Sequence, residues 1–337
     1  MSTTENHISE HIPHSEGNTP MIDFSGLNSL DITCDGMFRA GTDGVGSVKT
    51  TLDRKVEFVF FDNGKALALV KSAMGYPAYY PVRDIMTKKP LKAVLMDLDG
   101  TTVNSEHFWI WIIEKTTSTL LGDPGFRLDA SDEPYVSGHS VSEHLQYCIG
   151  KYCPDKNVEE ARQWYFKHVN HEINEILEGR GKQGAFTPSP GIKEFLESIR
   201  GMGLKTGLVT SGLYEKAWPA ILSAFQTMGM GDPKDYYDAI ITAGYPMRQG
   251  QPGTLGELSP KPHPWLYAET ARVGLGIPFE ERHHVVGIED SGAGVVAILL
   301  SGFAPIGKAG GNIRESGTES LCAHFKDSFE SILEVLS

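Results

Sequence analysis

The feature that most constrains the fold is a series of short, mostly apolar segments, separated from one another by turn residues and helical patterns. The segments occupy residues 93–96, 206–209, 239–241, 285–288 and 304–306. Apolar runs of this length are typical of strands that are buried on both faces of a parallel sheet. Because strands and helices alternate along the chain, the sequence predicts an α/β fold with a doubly wound parallel sheet.

The first two predicted strands are separated by residues 97–205, a connection far longer than one crossover helix requires. Helical patterns cover residues 105–121 and 157–178, and Ser140-Val141-Ser142-Glu143 has the form of a capping box. A further helix is expected to begin at Ser189-Pro190-Gly191. We therefore predict a core of residues 90–106 and 186–337 that is interrupted by an all-helical cap, residues 107–185.

The segment before the core has a different character. Residues 1–20 are polar and are predicted to form a disordered tail, and residues 21–89 are predicted to form a β-containing N-terminal extension. Two β-prone segments, 56–61 and 66–70, flank Asn63-Gly64, which predicts a hairpin. Residues 42–46 are glycine-rich, but no helical pattern follows them, so we interpret them as a plain turn rather than a phosphate-binding loop.

Composition excludes several classes of function. The 337 residues include 30 Lys and Arg against 43 Asp and Glu, a formal charge of −13, so we expect no nucleic-acid partner and no anionic membrane partner. No stretch approaches the roughly 18 consecutive apolar residues of a membrane span, and the polar N-terminus lacks the apolar core of a secretory signal. Four scattered cysteines fit a reducing compartment. These observations predict a soluble, cytoplasmic protein.

Acidic residues follow two of the predicted strands. Asp97 and Asp99 come after the first strand, and Glu289 and Asp290 come after the fourth. Catalytic groups of open α/β sheets collect at the carboxyl ends of strands, so these side chains are placed to share one cavity. Neighbouring carboxylates require a metal ion or a shared proton. Taken alone, the Asp-x-Asp segment could equally be a capping turn.

Two further segments favour phosphoryl transfer. Thr210-Ser211-Gly212 ends the second strand and offers a hydroxyl group and backbone N–H groups that suit phosphate oxygens. Lys261-Pro262 places a cation before a helix. Phosphoryl transfer depends largely on positioning and charge neutralisation, which this set of residues can supply.

In this order the segments resemble the four motifs of the haloacid dehalogenase-like hydrolase superfamily. The motif residues are Asp97-Leu98-Asp99-Gly100-Thr101, Thr210, Lys261-Pro262, and Gly287-Ile288-Glu289-Asp290-Ser291 with Gly294. The sequence is similar to the helical-cap branch that includes phosphatases and β-phosphoglucomutase, over residues 91–337. The resemblance implies a Rossmann-like core that carries an inserted helical cap.

The resemblance also implies catalytic roles. Asp97 is expected to be the nucleophile that forms an aspartyl-phosphate, and Asp99 the general acid and base. Thr210 and Lys261 are expected to bind the phosphoryl oxygens. The remaining candidates for substrate contacts are Ser211 and Gly212 in the core and, in the cap, Glu106, His107, Gly138, His139 and Ser140, although helix capping alone would explain Ser140.

The implied cofactor is Mg²⁺, which prefers oxygen ligands. The resemblance assigns it to Asp97, to the backbone carbonyl of Asp99 and to Asp290, with Glu289 as a direct or water-mediated ligand.

Within the family, the residues favour a phosphatase that acts on a small phosphorylated metabolite, such as a sugar phosphate. Asp99 disfavours a dehalogenase, which lacks this acid, and residues 137–143 contain no lysine for phosphonate cleavage. A β-phosphoglucomutase-like phosphomutase is an alternative, although Trp109 stands where its histidine is expected. A third alternative is a binding or regulatory module that uses the N-terminal extension.

Overall fold

The computed structural model describes residues 22–71, 77–136, 141–182, 184–243 and 259–337. Within these ranges the strands, in chain order, are β1 (Asn28–Leu30), β2 (Val45–Thr50), β3 (Val56–Phe61), β4 (Ala66–Val70), β5 (Ala78–Val82), β6 (Ala93–Asp97), β7 (Val103–Asn104), β8 (Thr187–Pro188), β9 (Lys205–Val209), β10 (Ala239–Ile241), β11 (Val285–Glu289), β12 (Ala304–Lys308) and β13 (His324–Lys326). The α-helices are α1 (Glu106–Leu121), α2 (Glu133–Val136), α3 (Val141–Tyr152), α4 (Val158–Leu177), α5 (Ile192–Gly201), α6 (Tyr214–Met228), α7 (Trp265–Glu269), α8 (Gly292–Ser301) and α9 (Phe329–Leu336).

The core is a six-stranded parallel sheet with the order β10-β9-β6-β11-β12-β13. This confirms the predicted doubly wound sheet, and all five predicted strands are present. The sequence analysis did not predict β13, because this three-residue edge strand offers only Phe325 as an apolar signal. In the centre of the sheet Met96 of β6 lies opposite both Leu208 of β9 and Ile288 of β11, which aligns the carboxyl ends of these three strands.

Side chains of β6 alternate between two apolar cores, as expected for a strand covered on both faces. Val94 and Met96 belong to the larger core, together with Phe195 of α5. Leu95 belongs to the smaller core, together with Leu266 of α7. The central strand is therefore fully buried, and its carboxyl end is held in place from both sides.

Helices α1–α4 lie between β7 and β8, two short strands that pair with each other in antiparallel register. The observed bounds of α1 and α4 agree with the predicted helical patterns, and the Asn157 side chain caps α4 by accepting a hydrogen bond from the Glu160 N–H. Helix α3 begins at Val141, whereas Ser140, with which its predicted capping box begins, lies outside the described residues. The cap segment thus leaves and re-enters the core at one place.

The N-terminal extension is a five-stranded antiparallel sheet with the order β1-β2-β3-β4-β5. The predicted hairpin is confirmed as β3 and β4. Residues 42–44 form a turn that leads into β2, with Gly44 at a φ of 76°. One face of this sheet packs into the larger apolar core through Val56, Phe58 and Ala68. The extension therefore shares its core with the parallel sheet. The predicted tail, residues 1–20, lies outside the described residues.

None of the helices in the described part of the chain has both the length and the apolar character needed to cross a membrane.

Asp132 connects the segment after α1 to helix α3. Its side chain is fully buried and accepts hydrogen bonds from the Tyr147 hydroxyl (2.6 Å), the Lys151 ammonium and the Tyr152 hydroxyl, and from the Asp129 N–H (2.9 Å). Burial raises the pKa of Asp132, but the hydrogen bonds from Lys151 and the two tyrosines outweigh this effect and lower the pKa to about 2. The ionised carboxylate therefore stabilises the cap.

We expect Asp132→Asn to lower the free energy of unfolding by on the order of 1 kcal/mol at neutral pH, because hydrogen bonds to a charged acceptor are lost. A carboxylate with a lowered pKa stabilises the fold above its unfolded pKa of about 4, and this contribution disappears as the pH falls towards about 2. Urea unfolding at pH 7 and pH 3 should show the difference between wild type and variant shrinking in acid. The exposed Asp155→Asn is the control and should leave the stability unchanged at both pH values. An undiminished difference between wild type and Asp132→Asn at pH 3 would contradict the assignment.

Candidate active site

Three buried carboxylates meet at the carboxyl ends of β6 and β11. Asp97 is the last residue of β6, Glu289 is the last residue of β11, and Asp290 follows it. The two strands are adjacent and parallel, so their ends coincide. One oxygen of each carboxylate lies within 4.8 Å of the others. The sequence analysis expected these three residues and Asp99 to share one cavity. The structure brings the three together and leaves Asp99 outside the buried cluster.

Lys261 supplies the opposite charge at this cluster. Its ammonium group forms ion pairs with Asp97 and with Glu289 Oε1, the latter at 2.5 Å, and its side chain is 7% exposed. The backbone N–H of Lys261 donates to Ser211 Oγ at 3.2 Å, and the peptide bond between Lys261 and Pro262 is cis. The lysine is therefore fixed both at its backbone and at its ammonium group.

Glu289 is completely occupied by protein donors. Oε1 accepts from Lys261 and from the Tyr267 hydroxyl (2.9 Å). Oε2 accepts from the Asp290 N–H (3.1 Å), and from the N–H (3.0 Å) and hydroxyl (2.9 Å) of Ser291. A Cβ atom at Gly294 would lie 1.8 Å from the Glu289 carboxyl carbon, so this helix residue has to be glycine for the carboxylate to fit. Both oxygens of Glu289 are therefore occupied, and its carboxylate holds the Lys261 ammonium in place.

The Asp290 carboxylate is held by one hydroxyl group and fits into space that two glycines leave open. Its Oδ1 accepts from the Thr101 hydroxyl at 3.1 Å. Its Oδ2 is approached so closely by the backbone that a Cβ atom would lie 2.1 Å away at Gly100 and 2.5 Å away at Gly311. Gly100 also has a φ of 85°, a conformation that favours glycine. The Asp-Gly-Thr spacing of the first motif therefore has a steric reason.

Burial dominates the electrostatics of the cluster. It raises the pKa of Asp97 well above its usual range, and the charge of Glu289 adds to this effect while Lys261 opposes it. Burial and the charge of Glu289 raise the pKa of Asp290 to about 7. Burial lowers the pKa of Lys261, but the charges of Asp97 and Glu289 outweigh it and raise the pKa above its ordinary value. The charge of the buried Lys308 also acts on Asp290 and lowers its pKa. Two ammonium groups do not balance three carboxylates, so the cluster favours a further cation.

Asp99 lies outside this buried group. It is exposed, and its carboxylate accepts hydrogen bonds from the Ser105 hydroxyl and, at 3.3 Å, from the Thr210 hydroxyl. Thr210 Oγ1 accepts from the Gly212 N–H at 2.9 Å. Asp99, Thr210 and Gly212 are therefore connected, and the Asp99 carboxylate is open to solvent on the other side.

The cap contributes both predicted and unpredicted residues. Glu106 and His107 are exposed in the first turn of α1, directly after Ser105, whereas Gly138, His139 and Ser140 lie outside the described residues. Trp109 is covered by the Lys216 ammonium, 3.9 Å from its ring centre, and Lys216 also donates to the Tyr165 hydroxyl at 3.2 Å.

The sequence analysis missed four residues that donate hydrogen bonds to the acidic groups: Thr101, Ser105, Tyr267 and Ser291. It also missed Lys216, which contacts Trp109 and Tyr165. Thr101 and Ser291 lie inside the motifs and could have been found there. Ser105 lies six residues after Asp99, but no motif includes it. Nothing in the local sequence marks Tyr267 or Lys216, since their partners are distant along the chain.

A family model of haloacid dehalogenase-like hydrolases matches residues 91–302. Among solved structures, the chain is similar to a predicted phosphoglycolate phosphatase from Haemophilus somnus (18% identity, TM-score 0.53, covering 73% of this chain and 98% of that one). It is also similar to CbbY from Rhodobacter sphaeroides in complex with phosphate (18%, 0.51, 72% and 96%) and to a putative β-phosphoglucomutase from Thermotoga maritima (19%, 0.51, 73% and 98%). At these identities the structures establish a shared fold.

Gly294→Ala should destabilise the protein although alanine favours helices. The helix propensity of alanine contributes up to about 1 kcal/mol, but a Cβ atom that collides with a carboxylate held by five hydrogen bonds costs about 1–3 kcal/mol. Gly150→Ala in α3, where no atom lies within 4 Å of the new Cβ, is the matched control and should stabilise slightly. Urea unfolding measures both. Equal stabilisation by the two substitutions would show that Glu289 is not held rigidly.

Proposed function

Because the chain belongs to the haloacid dehalogenase-like hydrolase family, we propose that it is a Mg²⁺-dependent phosphatase, which hydrolyses a small phosphorylated metabolite through an aspartyl-phosphate intermediate. The observation that carries this proposal is the convergence of Asp97, Lys261 and Asp290 at the carboxyl ends of β6 and β11, with Asp99 and Thr210 beside them. A sugar phosphate or a similar monoester is the proposed substrate class.

Asp97 is the nucleophile in this mechanism. Its side chain is 5% exposed and is oriented by the ion pair with Lys261, which favours the ionised form that can attack phosphorus. The attack forms an O–P bond and releases the substrate alcohol. The covalent aspartyl-phosphate is then hydrolysed by water, which returns the carboxylate and releases inorganic phosphate.

Asp99 is the general acid and base. Its exposed carboxylate can exchange protons with solvent, and Ser105 and Thr210 fix its orientation. In the first step it donates a proton to the leaving alcohol oxygen, and in the second it accepts one from the attacking water. Thr210 and Lys261, with the nearby Ser211 and Gly212, are assigned to the phosphoryl oxygens, whose charge they stabilise.

The residues present fit Mg²⁺. Three buried carboxylates against the ammonium groups of Lys261 and Lys308 leave excess negative charge, and carboxylate oxygens are the ligands that Mg²⁺ prefers. Asp97 Oδ2 and Asp290 Oδ2 accept no hydrogen bond from the described residues, so we assign them, together with the Asp99 carbonyl, to the ion. Glu289, whose two oxygens are occupied, acts by holding Lys261 and can reach the ion only indirectly. When bound, Mg²⁺ neutralises charge on the carboxylates and the phosphoryl group.

Residues 107–185 are assigned as the cap that covers the site and excludes bulk water, with Glu106 and His107 as candidate substrate contacts. The other predicted cap contacts, Gly138, His139 and Ser140, lie outside the described residues. The phosphomutase alternative has less support. The side chain at the position of its expected histidine is Trp109, which packs against Lys216 and Phe186 and offers no group that transfers protons at neutral pH. The third alternative, a binding or regulatory role of the N-terminal extension, is compatible with the phosphatase reaction and does not replace it.

Asp97→Asn should abolish phosphate release from a panel of phosphorylated metabolites assayed with Mg²⁺, with a fall of at least about a thousandfold, because the nucleophile is removed. The exposed Asp235→Asn is the control and should leave turnover unchanged. Equal turnover by wild type and Asp97→Asn would refute the aspartyl-phosphate mechanism.

Removal of divalent cations by EDTA should abolish turnover, and added Mg²⁺ should restore it. Asp290→Asn should raise the Mg²⁺ concentration that gives half of the maximal rate by about tenfold or more, because one carboxylate ligand is lost. The exposed Asp327→Asn should not change it. A Mg²⁺-dependent rise in Tm that is lost in Asp290→Asn provides a readout independent of activity. An unchanged Mg²⁺ requirement in Asp290→Asn would contradict the assigned ligand set.

A further inference from the structure

The N-terminal sheet contacts the loop that carries Lys261. This lysine loop, residues 260–264, reads Pro-Lys-Pro-His-Pro. Tyr80 of β5 places its hydroxyl 2.8 Å from Nδ1 of His263, and the Trp265 indole N–H donates to the same hydroxyl at 3.1 Å. His263 is 1% exposed. The family match begins only at residue 91, so Tyr80 belongs to a part of this chain outside it.

The contact between Tyr80 and His263 is assigned as a hydrogen bond from the hydroxyl to the ring. The indole N–H of Trp265 can only donate, so the Tyr80 oxygen accepts from it, and the Tyr80 proton is available for His263 Nδ1. We assign the neutral ring with its acceptor at Nδ1 and its proton at Nε2. Burial lowers the pKa of His263, which keeps the ring neutral.

Packing alone gives a poor reason for a histidine here. Its Nε2 is buried and meets no hydrogen-bond partner in the described ranges, which is unfavourable for a polar atom. An apolar side chain would fill the same space without this cost. The imidazole is therefore explained by its other nitrogen, Nδ1, which forms the hydrogen bond with Tyr80.

The lysine loop is held from two sides. On the side of the active site, the Lys261 N–H donates to Ser211 Oγ (3.2 Å) and the Lys261 ammonium binds Asp97 and Glu289. On the opposite side, the Pro264 carbonyl accepts from the Ser301 hydroxyl (2.9 Å) and His263 meets Tyr80. Because His263 is two residues from Lys261, a displacement of the imidazole moves the lysine backbone.

We propose that the N-terminal sheet is a positioning element for catalysis, in which the Tyr80 hydroxyl holds His263 and thereby sets the place of Lys261 beside Asp97. Tyr80 and His263 are positioning residues, since neither touches the reacting atoms. This inference rests on the phosphatase function proposed above for the role of Lys261, but the contact itself can be tested without activity.

Tyr80→Phe in the full-length chain tests the proposal. We expect amide hydrogen exchange of residues 259–267, measured by mass spectrometry, to become about tenfold faster, since one anchor of the loop is lost. With p-nitrophenyl phosphate and Mg²⁺, we expect kcat to fall about tenfold and KM to change less than threefold, because a misplaced lysine weakens chiefly the transition state.

Tyr79→Phe is the matched control. Tyr79 is the preceding residue of β5, faces the other side of the sheet and gives its hydroxyl to Asp35 at 2.7 Å. This variant should leave the exchange of residues 259–267 and kcat unchanged. Unchanged loop exchange in Tyr80→Phe, or equal effects of both variants, would overturn the proposal. If the chain releases no phosphate, the exchange experiment still decides on the contact, so the two proposals fail separately.

A second pair of variants tests the acceptor at position 263. His263→Asn retains an acceptor for the Tyr80 hydroxyl and should keep kcat within about threefold of wild type, whereas His263→Leu should reproduce the loss seen in Tyr80→Phe. Equal losses in His263→Asn and His263→Leu would contradict a role for the hydrogen bond.

Discussion

The structure depends on the ion pairs by which one buried ammonium group, that of Lys261, joins two buried carboxylates, Asp97 and Glu289. Burying charged groups costs free energy unless each group is paired and hydrogen-bonded. The third carboxylate, Asp290, leaves the cluster with an excess of negative charge. The remaining negative charge is what makes the site suitable for a cation and then for a phosphoryl group. In the proposed reaction a bound cation reverses the local charge of the site. The overall charge of −13 therefore does not argue against an anionic substrate.

The fold holds this unfavourable arrangement by supporting each member from a different element. Parallel pairing of β6 and β11 brings Asp97 next to Glu289. Gly100 and Gly294 give the carboxylates of Asp290 and Glu289 the space they need, and Thr101, Tyr267 and Ser291 donate to them. The N-terminal sheet extends this support to the lysine loop through the hydroxyl of Tyr80.

Much of this could be predicted from the sequence, and the limits have physical causes. Short apolar runs and helix caps act locally, so the parallel strands, the cap helices α1 and α4 and the hairpin of β3 and β4 were all recognisable. The strand β13 was not, because an edge strand of three residues carries too few apolar positions. The extent of the N-terminal sheet was also missed. Strands β2 and β5 form by pairing with the hairpin and β1 forms by pairing with β2, rather than by a strong pattern of their own.

The sequence by itself determined the order of the elements and the chemistry available at the strand ends, including Asp97, Asp99, Thr210, Lys261, Glu289 and Asp290. Only the tertiary structure decided how these groups divide their tasks. It occupies both oxygens of Glu289 with protein donors, leaves Asp99 exposed and joins Tyr80 to His263 across 183 positions of sequence. The reason is that hydrogen bonding and desolvation depend on neighbours in space. Several of these neighbours are far away along the chain, such as Tyr267 for Glu289, Thr210 for Asp99 and Tyr80 for His263.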